Sequence, residues 1–120
     1  MKLELLKKDY AVCRLQSKQL PDGEFMSLTV SGGEISLVCE EERVPDGCVV
    51  ERGWCGLRVC GALDFSLIGI LAGLTDALAR ADVSVFAMST YDTDYLFVKK
   101  IRLETAVQAL KTAGYEIAAV

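Results

Sequence analysis

The chain has 120 residues, of which 52% are hydrophobic and only two are proline, with a formal net charge of −4. That length allows one compact unit or two small halves sharing a core, and the hydrophobic content excludes a disordered chain. No Lys/Arg-rich run is present to track a phosphate backbone, which excludes nucleic acid as a partner, and the longest mostly apolar stretch, residues 67–74, is far shorter than the roughly 20 residues of a membrane-spanning helix.

The opening MKLELLKKDY scatters charges among its apolar residues and does not read as a signal peptide. The expectation is a soluble, cytoplasmic protein with no membrane partner. Residues 10–15 read as a strand and LPDG at 20–23 as a turn. Residues 25–30 are a short apolar segment that suits a helical turn or a strand. Gly32-Gly33 is a turn, and Ile35, Leu37 and Cys39 alternate along a strand over residues 34–40. VPDG at 44–47 is another turn, and residues 48–51 suit a short strand. This N-terminal half reads as a trimmed copy of the C-terminal half, with its helices shortened.

The C-terminal half is more regular. WCGLRVCG, residues 54–61, suits a strand with Cys55, Leu57 and Val59 on one side. Leu67, Ile70, Leu71, Leu74 and Leu78 recur at helical spacing and predict a helix over residues 68–81, with Ser66 as its N-cap. Residues 83–88 and 95–99 are two strands joined by a short polar turn, the pattern of an antiparallel hairpin. Leu103, Ala106, Val107, Leu110 and Ala113 mark a second helix, which Gly114 ends, and YEIAAV is a last strand. The succession β-α-β-β-α-β predicts an α+β, ferredoxin-like unit, two helices covering one face of an antiparallel sheet. The expected division is residues 1–53 and 54–120.

Five cysteines stand at positions 13, 39, 48, 55 and 60, and histidine is absent. Their spacings of 26, 9, 7 and 5 form no paired-knuckle zinc pattern, so no metal or cofactor is expected. They read as reduced thiols serving as small hydrophobes. The closer spacing of Cys48, Cys55 and Cys60 leaves room for a disulfide, against which a cytosolic setting argues. With no histidine base, no Gly-x-Ser-x-Gly and no Gly-x-x-x-x-Gly-Lys, no catalytic constellation is expected, and an Asp92/Asp94 acid–base pair is the weaker reading.

Two places could hold a ligand. The start of the first predicted helix leaves backbone N–H groups unpaired and can take a carboxylate, and Gly69 would let a ligand approach the backbone. From Ser89 to Asp94 the hairpin carries four hydroxyls and two carboxylates. Thr90, Tyr91 and nearby carbonyls could bind an ammonium, and Asp94 could pair with it or with a cationic side chain. If the two places meet, a zwitterion finds both complements. The plainer alternative makes Gly69 a packing residue, Asp92 and Thr93 ordinary turn formers and Asp94 a solvated flank.

Residues 63–115 resemble the C-terminal ACT domain of a bacterial ACT-domain family related to aspartate kinase ACT domains and to the CASTOR arginine sensors. The resemblance rests on Gly69-Ile70 after a short acidic-aromatic loop and on VSVFAMSTYDTDYLFV, where Ser89, Thr90, Tyr91, Thr93, Asp94 and Tyr95 match. FMSLTVSGGEISLVCEE resembles a degenerate first ACT-like unit of the same proteins through Phe25, Ser27, Leu28 and its second strand. The resemblance implies two ACT-like units in a non-enzymatic regulatory protein that binds a free amino acid or a similar small zwitterion. It further implies a homodimer, and output through a regulated protein partner or a change in assembly. The ligand positions it implies are Asp64, Ser66, Ile68, Gly69, Ile70, Thr90, Tyr91 and Asp94. Where arginine-sensing relatives place an acidic residue two positions before Gly-Ile, this chain has Leu67, which leaves a guanidinium with Asp94 alone.

Overall fold

Apolar residues mixed with charged ones open the chain, and they build its longest strand. In the computed structural model, which describes residues 1–61 and 68–119, Lys2–Arg14 form β1. Three more strands come next, β2 (Met26–Ser31), β3 (Glu34–Glu40) and β4 (Val49–Val59). Then come α1 (Ile70–Arg80), β5 (Val85–Ser89), β6 (Asp94–Lys99), α2 (Leu103–Thr112) and β7 (Glu116–Ala119). The segment at 25–30 resolves to a strand, and the two strands expected at 48–51 and 54–61 are one. Gly53, at φ +83°, lies inside that strand, a backbone setting that glycine adopts without strain. Among the described residues no helix is long and apolar enough to cross a membrane.

By contacts the chain forms two compact units, one made of Met1–Lys7 with the chain from Cys55 onward, the other of Lys8–Trp54. The start of β1 therefore belongs with the C-terminal elements, whereas the sequence reading assigns all of residues 1–53 to the N-terminal unit.

The larger unit contains the expected β-α-β-β-α-β succession from β4 to β7, in an α+β fold. Its strand order is β7-β1-β4-β6-β5. As expected, β4 lies beside β6, and β5 pairs antiparallel with β6, Phe86 opposite Phe97 and Ser89 opposite Asp94. The chain's first residues are an addition to that plan. They stand between β4 and β7, and β7 pairs with them in parallel, Leu3 opposite Ile117. The Arg58 guanidinium binds Glu4 Oε2 through Nε at 3.1 Å and Nη2 at 2.6 Å, and the Cys60 N–H donates to Lys2 O at 2.9 Å.

Both helices lie on one apolar layer. Leu74, Ala77 and Leu78 from α1 and Ala106 and Leu110 from α2 pack with Leu3, Cys55, Leu57, Val59, Leu96 and Val98. Cys55, Leu57 and Val59 share a face, as their alternation predicts. Phe97 falls between Leu96 and Val98 and turns the other way, stacked on Phe86 at 4.8 Å. Gly114, at φ +101°, comes after the last residues of α2 and ends it as expected. The first helix begins two residues later than predicted, because Gly69 at its N-cap is left-handed. Ser66, the expected N-cap, lies outside the described residues.

The smaller unit is built of strands and turns with one short 3-10 helix, Glu41–Arg43, and has no α-helix among its residues. β3 pairs antiparallel with β2 and with β1, so that Cys39 faces Met26 on one side and Ala11 on the other. Ala11, Cys13, Leu15, Leu37 and Cys39 form its buried core. Glu40 is buried at 2% exposure and accepts the Glu24 N–H at 3.2 Å, holding the 20–24 turn against β3. Gly23 lies so close that a Cβ there would stand 2.8 Å from Glu40 Oε1.

The recruited strand has a direct test. Leu3 is fully buried in the larger unit's core. In chemical denaturation Leu3→Ala should lower stability by about 2–5 kcal/mol, as cavity-forming core truncations do. A loss below about 0.5 kcal/mol, the range of surface substitutions, would contradict the burial of the chain's start.

Candidate functional site

The hairpin tip is built from its own hydroxyls. The Thr90 N–H donates to Thr93 O at 2.8 Å, closing a four-residue turn. The Thr90 hydroxyl donates to the same carbonyl and accepts the Thr93 N–H, both at 3.2 Å. Below the turn, the Ser89 hydroxyl donates to Asp94 Oδ1. Local hydrogen bonding of this kind is why Ser, Thr and Asp favour turns.

Thr93 does more than form the turn. It is buried, at 5% exposure, and its hydroxyl donates to Val59 O at 2.7 Å. Val59 is the last residue of β4, from which the chain runs towards Gly69. One hydrogen bond thus fastens the hairpin tip to the strand end that leads to α1. The sequence reading weighs Thr93 only as a turn former. The available signal was the residue itself, a hydroxyl directly beside a buried apolar strand.

At the start of α1, Gly69 sits at φ +80°, no side chain among the described residues caps the helix, and the first helical bond runs from the Gly73 N–H to Gly69 O at 3.0 Å. No described atom lies within 4 Å of the place a Cβ on Gly69 would occupy. Close packing against a strand therefore does not explain this glycine, whereas its left-handed backbone does. The N-terminal N–H groups of α1 carry the partial positive charge of a helix start.

The expected ligand positions fall into three groups. Asp64 and Ser66 lie outside the described residues, as does Leu67. Ile68 is 90% exposed and Tyr91 82% exposed, the opposite of ordinary placement for large apolar side chains. Gly69 and Ile70 start the helix, Ile70 with its side chain against the core. Thr90 and Asp94 flank the turn. Asp94 is half-buried, and with Ser89 on Oδ1 its carboxylate keeps further acceptor capacity. None of the expected positions among the described residues lines the groove of about 760 Å³ between α1 and α2, which is walled by Ala77, Ala81, Ala109 and Ala113 with Arg80 and Glu104.

The anchor is testable by near-isosteric change. Thr93→Val keeps the shape and leaves the Val59 carbonyl without its donor, which should cost about 1–3 kcal/mol in chemical denaturation. Thr93→Ser should recover most of that loss. Equal stability of Thr93→Val and the parent protein would contradict the anchor.

A family model of the ACT domain matches residues 49–112, and a separate N-terminal-domain model matches residues 8–47. Among solved structures, the chain is similar to protein Atu0741 from Agobacterium tumefaciens, at 31% identity and a TM-score of 0.90, over 99% of this chain and 92% of that one. It shares its fold with an aspartate kinase from Clostridium acetobutylicum, at 17% identity and a TM-score of 0.65, over 89% of this chain and 33% of that one. It also shares it with the ligand-free regulatory subunit of aspartate kinase from Thermus thermophilus, at 9% identity and a TM-score of 0.65, over 93% of this chain and 96% of that one. The ACT model spans more than half the sequence and carries the β4-α1-β5-β6-α2 core of the larger unit, so this chain belongs to the ACT-domain family.

Proposed function

We propose that this chain is a non-enzymatic regulatory protein that binds a free amino acid between the start of α1 and the 89–95 turn. The observation that carries the reading is the Thr93–Val59 hydrogen bond, which ties the tip bearing Asp94 to the strand end leading to Gly69. A helix start favours a carboxylate, and the Asp94 carboxylate favours an ammonium, so the two suit the ends of a zwitterion. The lack of a side chain at Gly69, with no described atom beyond its chain neighbours within 4 Å of where a Cβ would stand, supports close approach to the backbone. The fold shared with an aspartate kinase regulatory subunit supports a regulatory rather than a catalytic role. Output would pass through a homodimer or a regulated partner.

A second reading has its own support. Ser89 and Thr90 use their hydroxyls within the hairpin tip, and Thr93 uses its hydroxyl to anchor the tip to β4. A module that assembles with another chain and holds no metabolite would need nothing more from them.

A thermal-shift screen against the twenty amino acids at millimolar concentration separates the two. A ligand that binds only the native state stabilises it by about 2.7 kcal/mol at one hundred times its Kd. A selective rise in Tm with one or two amino acids is expected, and no rise with any of them would favour the assembly module. With the amino acid that raises Tm, Asp94→Ala should weaken binding at least about tenfold, or about 1.4 kcal/mol. Its own Tm should stay close to that of the parent. Unchanged affinity would remove Asp94 from the site.

A further inference from the structure

Three cysteine thiols from separate parts of the sequence meet in the smaller unit. Cys13 on β1 and Cys39 on β3 belong to its buried core, and Cys48, just before β4, packs against them. Both of the other thiols lie close enough to Cys13 to act on it. Among the described residues no group of three or more Cys, His, Asp or Glu is arranged to hold a metal. The cluster's chemistry is therefore that of sulfur with sulfur.

Geometry selects the pair. In the β1–β3 ladder Cys13 stands opposite Leu37 and Cys39 opposite Ala11, so these two cysteines are diagonal neighbours. Diagonal positions lie about 7–8 Å apart. That exceeds the roughly 4.4–6.8 Å Cα separation of a disulfide, and paired strands cannot shift to close it. Cys48 is not held in a ladder. It comes directly after Gly47, at φ +76°, at the end of the 44–48 turn, where its thiol donates to Pro45 O at 3.2 Å. Its sulfur can leave that weak bond for Cys13 by a movement of the turn alone.

We propose that Cys13 and Cys48 form a reversible disulfide when the protein meets a hydroperoxide, making this cluster a thiol modification site. Cys48 reacts first, because it is half-buried while Cys13 is 2% exposed. Burial, together with the neighbouring Cys39 and Cys48, pushes the Cys13 thiol up to about 12, so Cys13 is the poorer of the two at meeting the peroxide directly. The Cys48 thiolate attacks the terminal peroxide oxygen, the O–O bond breaks, and the departing alkoxide, or hydroxide from hydrogen peroxide, is protonated, leaving a sulfenic acid. The Cys13 sulfur then attacks the Cys48 sulfur. The S–O bond breaks, the leaving hydroxide takes the Cys13 proton, and the S–S bond forms. Two thiols lose two electrons and two protons, and the peroxide becomes two waters when its hydroperoxide is hydrogen peroxide. The bond would tie the 44–48 turn to β1 and close a loop containing β2 and β3.

The test is made on the folded full-length chain, treated with hydrogen peroxide and then alkylated in denaturant before tryptic mapping. The expected product links residues 9–14 to residues 44–52 and leaves Cys39, Cys55 and Cys60 alkylated. A thiol reductant should restore both peptides. Cys48→Ser should abolish the link, while Cys60→Ser should leave it unchanged. Five alkylated cysteines, a bond between any other pair, a disulfide between two chains, or Cys48 carried to sulfinic acid with Cys13 still free would each overturn the proposal.

Discussion

The bond from the Thr93 hydroxyl to the Val59 carbonyl is the constraint on which the candidate site depends. A hairpin tip is ordinarily the loosest part of a sheet, because its strands end there and solvent competes for its backbone. Here a buried side chain crosses from the tip to the end of β4. The Thr90–Thr93 turn is in turn closed by three hydrogen bonds of its own. The result is a polar edge with a fixed position, and Asp94 and Tyr91 are carried on it. A site that must orient a small ligand needs this kind of support from elements that do not themselves touch the ligand.

The second constraint is the use of the chain's start. Leu3 and Leu5 pack with residues that lie far later in the sequence, and β7 finds its strand partner there. The Glu4–Arg58 ion pair joins β1 to β4 at the same level. Both side chains are about one-third exposed, so the pair adds register more than stability. The apolar packing around Leu3 supplies the stability.

Much of this was legible in the sequence where periodicity was strong. The apolar spacing in α1 and α2, the alternation in β3 and the polar break between β5 and β6 all carry their structure on their face. The N-terminal strand was harder to see. Residues 2–9 mix Lys, Glu and Leu without a clean alternation, because the strand does not present a simple buried face and exposed face along its length: Leu3 is buried, while Leu5 and Leu6 are only partly covered. The parallel partner of β7 was hidden for the same reason, since strand pairing across that separation leaves no local mark. At the candidate site, the Ser-Thr…Thr-Asp pattern and Gly69 drew attention to the hairpin tip and the start of α1. What the pattern could not separate was hydroxyls that build the turn from groups that remain available to a ligand. That distinction is three-dimensional: Thr90 and Asp94 are four residues apart, yet one is engaged twice within the turn and the other retains acceptor capacity.

The proposed site requires that the hairpin tip and the start of α1 act on one ligand. Amide-resolved NMR of the uniformly ¹⁵N-labelled protein, titrated with a pool of the twenty amino acids, tests it most directly. The amides of Gly69, Ile70 and Leu71 should shift together with those of Thr90 to Asp94, along a single saturation curve. Shifts at only one of the two places, shifts confined to the groove between α1 and α2, or no shifts at all would contradict it.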